Sequence, residues 1–113
     1  MNLPNIKYIK IDCNNIDIIE NLPNSVEEIK FGYYFNLEIQ NLPNSIKKIF
    51  FHTICKKDID LNCLPECVEY LELNMNYRRK INKFPLNLKT IKCCKKYKYI
   101  DDFKDKYNVI ITY

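Results

Sequence analysis

The chain has 113 residues, 47% of them hydrophobic, with 18 Lys or Arg against 14 Asp or Glu. That length and apolar content suit one domain, residues 1–113, with a continuous core, and they exclude a disordered chain, which would be poor in aromatic and branched aliphatic residues. The net charge of +4 is unevenly spread, because residues 1–41 hold three Lys against six acidic residues (−3), leaving +7 on residues 42–113.

A leucine–proline pair punctuates the chain at Leu3-Pro4, Leu22-Pro23, Leu42-Pro43 and Leu64-Pro65, and Phe84-Pro85 takes the same place once more. The prolines are 19, 20, 22 and 20 residues apart. A self-similar period near twenty residues signals a solenoid in which each turn is one repeat. The turns run over about 3–21, 22–41, 42–63, 64–83 and 84–102, with a terminal strand in 103–113.

Aligned on proline, three columns are apolar. The first holds Ile6, Val26, Ile46, Val68 and Leu88; the second Ile9, Ile29, Ile49, Leu71 and Ile91; the third Ile11, Phe31, Phe51, Leu73 and Cys93. The last two columns are two residues apart, the period of a strand with one buried face. Strands are predicted over about 8–12, 28–32, 48–52, 70–74 and 90–94. After each strand a second apolar set, Phe35, Cys55, Tyr77 and Tyr97, then Ile39, Ile59 and Ile81, plugs the core from the returning side. In the tail, Phe103, Tyr107, Ile110 and Thr112 fall into the apolar columns, so Asn108 to Tyr113 is predicted as a sixth strand. The predicted fold is a mainly β solenoid: a right-handed coil with a parallel sheet on its concave side, an irregular convex side and about six strands.

The order Leu-x-x-Leu-x-Leu-x-x-Asn is read here as Ile6, Ile9, Ile11, Asn14 and again as Val68, Leu71, Leu73, Asn76, which resembles leucine-rich repeats. Leu22, Pro23, Ser25, Val26, Phe31, Gly32, Phe35, Asn36 and Ile39 resemble more closely the FNIP repeat, a leucine-rich-repeat relative found in social amoebae and giant amoeba viruses. Ile, Asn, Lys and Tyr make up about half of the chain, a bias that agrees with such a source. The resemblance implies a protein-interaction module with no cofactor and no reaction. Relatives of this kind that carry an F-box place it ahead of the repeats; here the first repeat starts at Leu3, so that adaptor role is not carried over.

Side chains between the buried columns point out of the concave face. The first outward column is Tyr8, Glu28, Lys48, Tyr70, Thr90 and Val109; the second is Lys10, Lys30, Phe50, Glu72, Lys92 and Ile111. A third, Asp12, Gly32, His52, Asn74, Cys94 and Tyr113, is expected to be exposed as well. From these, Tyr8, Lys10, Lys48, Phe50, Tyr70, Glu72 and Lys92 form the expected partner-binding surface, because aromatic groups on an open sheet resemble interface anchors. On the convex side, Lys56, Lys57, Arg78, Arg79 and Lys98 stack into a possible anion-binding ridge, although no nucleic-acid motif accompanies it.

Metal and catalytic readings are weak. Cys63 and Cys67 with Cys93 and Cys94 do not have zinc-finger spacing, and buried thiols act as small hydrophobes. His52 is the sole histidine, and a Cys94–His52 pair would be two strand spacings apart, roughly 9–10 Å, beyond hydrogen-bond reach. The expectation is a chain that is not an enzyme, without cofactor or metal. No apolar run approaches the roughly 18 residues that span a bilayer, and Lys7, Lys10, Asp12, Asp17 and Glu20 interrupt the first segment, so an intracellular, cytoplasmic protein (host cytoplasm or virion if viral) with reduced cysteines is expected. A protein partner is the first expectation. Self-association through terminal strand edges, as a structural or virion subunit, and weak nucleic-acid or other anion binding are the alternatives.

Overall fold

A computed structural model describes residues 5–52, 54, 55 and 58–111. Six short strands follow one another: β1 (Tyr8–Ile11), β2 (Glu28–Phe31), β3 (Lys48–Phe51), β4 (Tyr70–Glu72), β5 (Thr90–Cys93) and β6 (Asn108–Ile111). They form a single sheet in chain order, and each pairs in parallel with its sequence neighbours. The chain is thus a β-solenoid of about five turns. Among the described residues helix is confined to α1 (Ile16–Glu20) and a 3-10 turn at Ile100–Asp102.

The turns share a few recurring bonds. The N–H groups of Val26, Ile46, Val68 and Leu88 donate to the carbonyls of Pro23, Pro43, Pro65 and Pro85, closing a tight bend just before the strand. Proline fixes φ at the start of that bend, where its missing N–H costs no ladder bond. The Ser25 hydroxyl donates to the Ile6 carbonyl and the Ser45 hydroxyl to the Val26 carbonyl, both at 2.7 Å, so a serine two residues after proline staples its turn to the one before. Backbone bonds then enforce the register: the N–H groups of Glu27 and Glu28 share the Lys7 carbonyl, and those of Lys47 and Lys48 share that of Glu27.

The second apolar column is in register through the whole sheet, Ile9 opposite Ile29, then Ile49, Leu71, Ile91 and Val109. Its interior members Ile29, Ile49, Leu71 and Ile91 are fully buried. Phe31 packs on Phe35 with ring centroids 4.4 Å apart and on Phe51 at 5.1 Å. Ile19, Ile39, Ile59 and Ile81 close the core from the returning side, joined by Leu61 in the longest turn. Asn41 adopts φ 56°, the left-handed conformation an asparagine tolerates just ahead of a Leu-Pro pair.

Two expectations need correction. The last strand is offset by one residue: Asn108, Val109, Ile110 and Ile111 face Thr90, Ile91, Lys92 and Cys93, so Val109 and Ile111 stand in the buried columns while Ile110 points outward. The cause is the approach to β6, where residues 100–107 wind through bonds from Phe103 and Lys104 N–H to the Ile100 carbonyl instead of a Leu-Pro bend. The third outward column is likewise not an exposed row. Gly32, Asn74 and Cys94 are buried, His52 is half-buried and Asp12 is exposed. The strands end a residue or two sooner than expected, and the chain bends there toward the core, so the two-residue alternation stops. Tyr113 lies outside the described residues.

Candidate functional site

The solvent-facing side of the sheet is set by alternation along each strand. Tyr8, Glu28, Lys48, Tyr70, Thr90 and Asn108 form one row, and Lys10, Lys30, Phe50, Glu72, Lys92 and Ile110 form the next. Phe50 and Tyr70 meet diagonally across β3 and β4, with ring centroids 5.2 Å apart at 41°. Both are half-buried. Ion pairs flank them on either side, Glu28 with Lys48 at 3.8 Å and Glu72 with Lys92 at 3.2 Å. Burial, then the Glu72 carboxylate, pushes the Tyr70 hydroxyl above its ordinary pKa, so it stays a neutral donor. Tyr8 sits apart on the edge strand, 51% exposed, with Lys10 exposed beside it. The seven expected residues therefore divide into a central group of Lys48, Phe50, Tyr70, Glu72 and Lys92, and an edge group of Tyr8 and Lys10.

The convex ridge is not a row of free cations. The Arg79 guanidinium donates to the Asp58 carbonyl at 2.9 Å and lies 3.4 Å from Glu38 and 3.8 Å from Asp60. Arg78 pairs with the Asp58 carboxylate at 3.1 Å. The Asp60 carboxyl is held below its ordinary range, first by hydrogen bonds from Asn62 and also by Arg79. Lys98 sits over the Tyr99 ring, 5.4 Å from its centroid. Lys56 and Lys57 lie outside the described residues.

Thiols and the histidine serve packing and turns. Cys55, Cys93 and Cys94 are buried, and the Cys63 thiol donates to the Ile39 carbonyl at 3.0 Å. Among the described residues no group of three or more His, Cys, Asp or Glu side chains could hold a metal ion. His52 accepts from the Ile54 N–H at its Nδ1, 3.2 Å, and meets Tyr33 edge-on at 5.9 Å. No helix among the described residues is long and apolar enough to cross a membrane.

One feature escaped the strand-centred sequence reading: an open groove of about 850 Å³ on the flank where the strands end, lined in part by Ile54, Met75, Arg78, Lys95 and Lys96. Ile54, Met75, Lys95 and Lys96 come from the bends ten and eleven residues after Pro43, Pro65 and Pro85. That signal was available in the sequence, but only by following the turn positions as columns of their own.

The family model of the FNIP Repeat matches residues 14–53. That stretch is similar to the FNIP repeat. No curated protein and no solved structure matches the chain. The FNIP repeat is a repeat and interaction domain rather than a known enzyme family. Within the matched stretch the motif residues have physical roles: Pro23 and Ser25 shape and staple the bend, Val26, Phe31, Phe35 and Ile39 fill the core, and the Asn36 N–H donates to Asn14 of the preceding turn at 2.7 Å.

Proposed function

We propose that the chain is a non-enzymatic protein-interaction module that presents its concave strand face to a protein partner. The Phe50–Tyr70 pair carries the reading. Two touching, half-buried aromatic rings lie near the middle of a six-stranded platform, with ion-paired Lys48 and Lys92 beside them. An apolar centre inside a polar rim is the usual anatomy of a recognition surface, and aromatic residues dominate its energetics. The FNIP stretch and the solenoid fold are consistent with such a module. Parallel strands locked to both neighbours present these side chains with little ordering left to do on binding. Six free cysteines suit a reducing, intracellular site of action.

The test is affinity capture with the whole chain as bait, followed by mass spectrometry, in parallel with a Phe50→Ala/Tyr70→Ala variant. A partner enriched by the first and lost from the second, with unchanged circular dichroism, is the expected outcome. Equal retention by both baits defeats the reading.

A second reading, assembly of copies through the outer edges of β1 and β6, draws on the exposure of Ile110 at 39% and Ile111 at 47%. Sedimentation at micromolar concentration separates an assembling chain from a monomeric receptor. The anion-ridge reading draws less support, because Glu38, Asp58 and Asp60 already engage Arg78 and Arg79.

A further inference from the structure

After β2, β3, β4 and β5 the chain leaves the sheet through the same bend. The N–H groups of Phe35, Cys55, Tyr77 and Tyr97 donate to the carbonyls of Gly32, His52, Asn74 and Cys94 at 3.2, 2.9, 3.2 and 3.0 Å. The anchoring residue of each bend is buried in the core, so the two residues inside the bend line the flank of the stack. Among the described residues these are Tyr33 and Tyr34, then Ile54, then Met75 and Asn76, then Lys95 and Lys96. Along the stack the flank therefore changes from aromatic, through aliphatic, to cationic. Tyr34 is 68% exposed and Ile54 47%, large apolar groups left in water side by side on successive turns.

The groove opens at the aliphatic-to-cationic end of this flank, with Ile54 and Met75 on one side and Lys95 and Lys96 on the other. Arg78 at its margin is paired with Asp58. Lys95 and Lys96 are exposed, and among the described residues neither has an ion-pair partner. Three turns span about 10 Å at the spacing of neighbouring strands, which is the rise of three or four residues of extended peptide.

We propose that this groove binds an extended acidic–apolar segment of a partner protein, its apolar side chains against Ile54 and Met75 and its carboxylates against Lys95 and Lys96. Charge complementarity selects the acidic segment, and the adjoining apolar surface selects one that is not purely acidic. A nucleic acid fits less well. The tyrosines lining the groove, Tyr77 and Tyr97, are buried, and their hydroxyls are spent on the Ile59 and Arg79 carbonyls at 2.6 Å, so they offer no free ring faces on which bases could stack. The groove lies apart from Phe50 and Tyr70, and this inference does not depend on the strand-face reading.

The experiment uses the full chain and a fluorescein-labelled dodecapeptide in which Asp and Glu alternate with Leu and Phe, followed by fluorescence anisotropy. Saturable binding is expected, weakened about tenfold or more by Lys95→Glu with Lys96→Glu. Replacing the peptide's Leu and Phe by Ser should weaken it by a further several-fold, and Phe50→Ala/Tyr70→Ala should leave it unchanged. Amide chemical shifts of the unaltered chain give a readout that needs no variant, with changes expected at Ile54, Met75, Asn76, Lys95 and Lys96. Any of four results overturns the inference: no saturation at millimolar peptide, equal binding of the Ser-substituted peptide, displacement by an oligonucleotide of equal charge at lower concentration, or shift changes centred on Phe50 and Tyr70.

Discussion

At the scale of single residues, Gly32 shows how one repeat position is specified by its neighbour. Its φ is not positive, so conformational freedom does not explain it. Space does. A Cβ added at Gly32 would stand 2.8 Å from the Cβ of Asp12, with the carboxylate closer still. That carboxylate accepts the Tyr34 N–H at 2.8 Å, an inter-turn bond a displaced Asp12 could not keep. Gly32→Ala should destabilise the chain by about 1–2 kcal/mol in urea titrations. In an Asp12→Gly background the same substitution should cost much less, since the obstacle and the bond are both gone. Strict additivity of the two changes would refute this account. The other positions of the same column carry different solutions. Asn74, buried, donates its side-chain amide to the Cys55 carbonyl at 2.9 Å, and Cys94 is buried and accepts from the Lys96 N–H through its sulfur at 3.4 Å.

Elements differ in how much each contributes. Ile49 is fully buried between two neighbouring strands, whereas Ile9, on the outer strand, is only half-buried. Ile49→Ala should cost about 2–5 kcal/mol, the range for a cavity in a packed core, and Ile9→Ala about half as much or less. Similar losses at both positions, read from urea midpoints, would mean that the edge strand is as well supported as the middle. β1 to β5 were legible from proline spacing, and for β2 to β5 one local device, the apolar–proline bend, sets the register each time. β6 was legible as a strand starting at Asn108 but not in its register, because the 3-10 turn at Ile100–Asp102 and the bonds after it replace that device and shift the frame by one residue. The central strand-face residues Lys48, Phe50, Tyr70, Glu72 and Lys92 could be placed from alternation alone. The paired state of Arg79 could not, since its acids Glu38 and Asp60 come from other turns, 41 and 19 positions away in the chain.

For the molecule as a whole, alkaline pH is the condition that probes its interior. Burial, then the neighbouring Tyr97, raises the Tyr77 hydroxyl above its ordinary range; burial, then Asp102, does the same for Tyr97. Burial, with a smaller effect of Cys94, pushes the Cys93 thiol up to about 11. In each case the folded chain holds its proton more tightly than the unfolded chain does. Stability from these groups is therefore complete below the ordinary thiol value of 9.0, declines first on Cys93, and falls more steeply above the tyrosine value of 10.0. The loss should be on the order of 3 kcal/mol between neutral pH and about pH 10.5. A triple variant, Tyr77→Phe, Tyr97→Phe and Cys93→Ala, should flatten the profile, and an equally steep decline in that variant would place the cause elsewhere.

The serine staples and shared carbonyls bind each coil only to the coils just before and after it. Nothing in such a ladder fixes how many rungs it has. A stretch of about twenty residues copied in frame from the Leu22–Asn41 region should slot between two coils and lengthen the protein, the new coil taking up the neighbour bonds on each side, although placed between the second and fourth coils it would part Arg79 from Glu38. The same arithmetic makes a deletion of half a coil far more harmful than a deletion of a whole one.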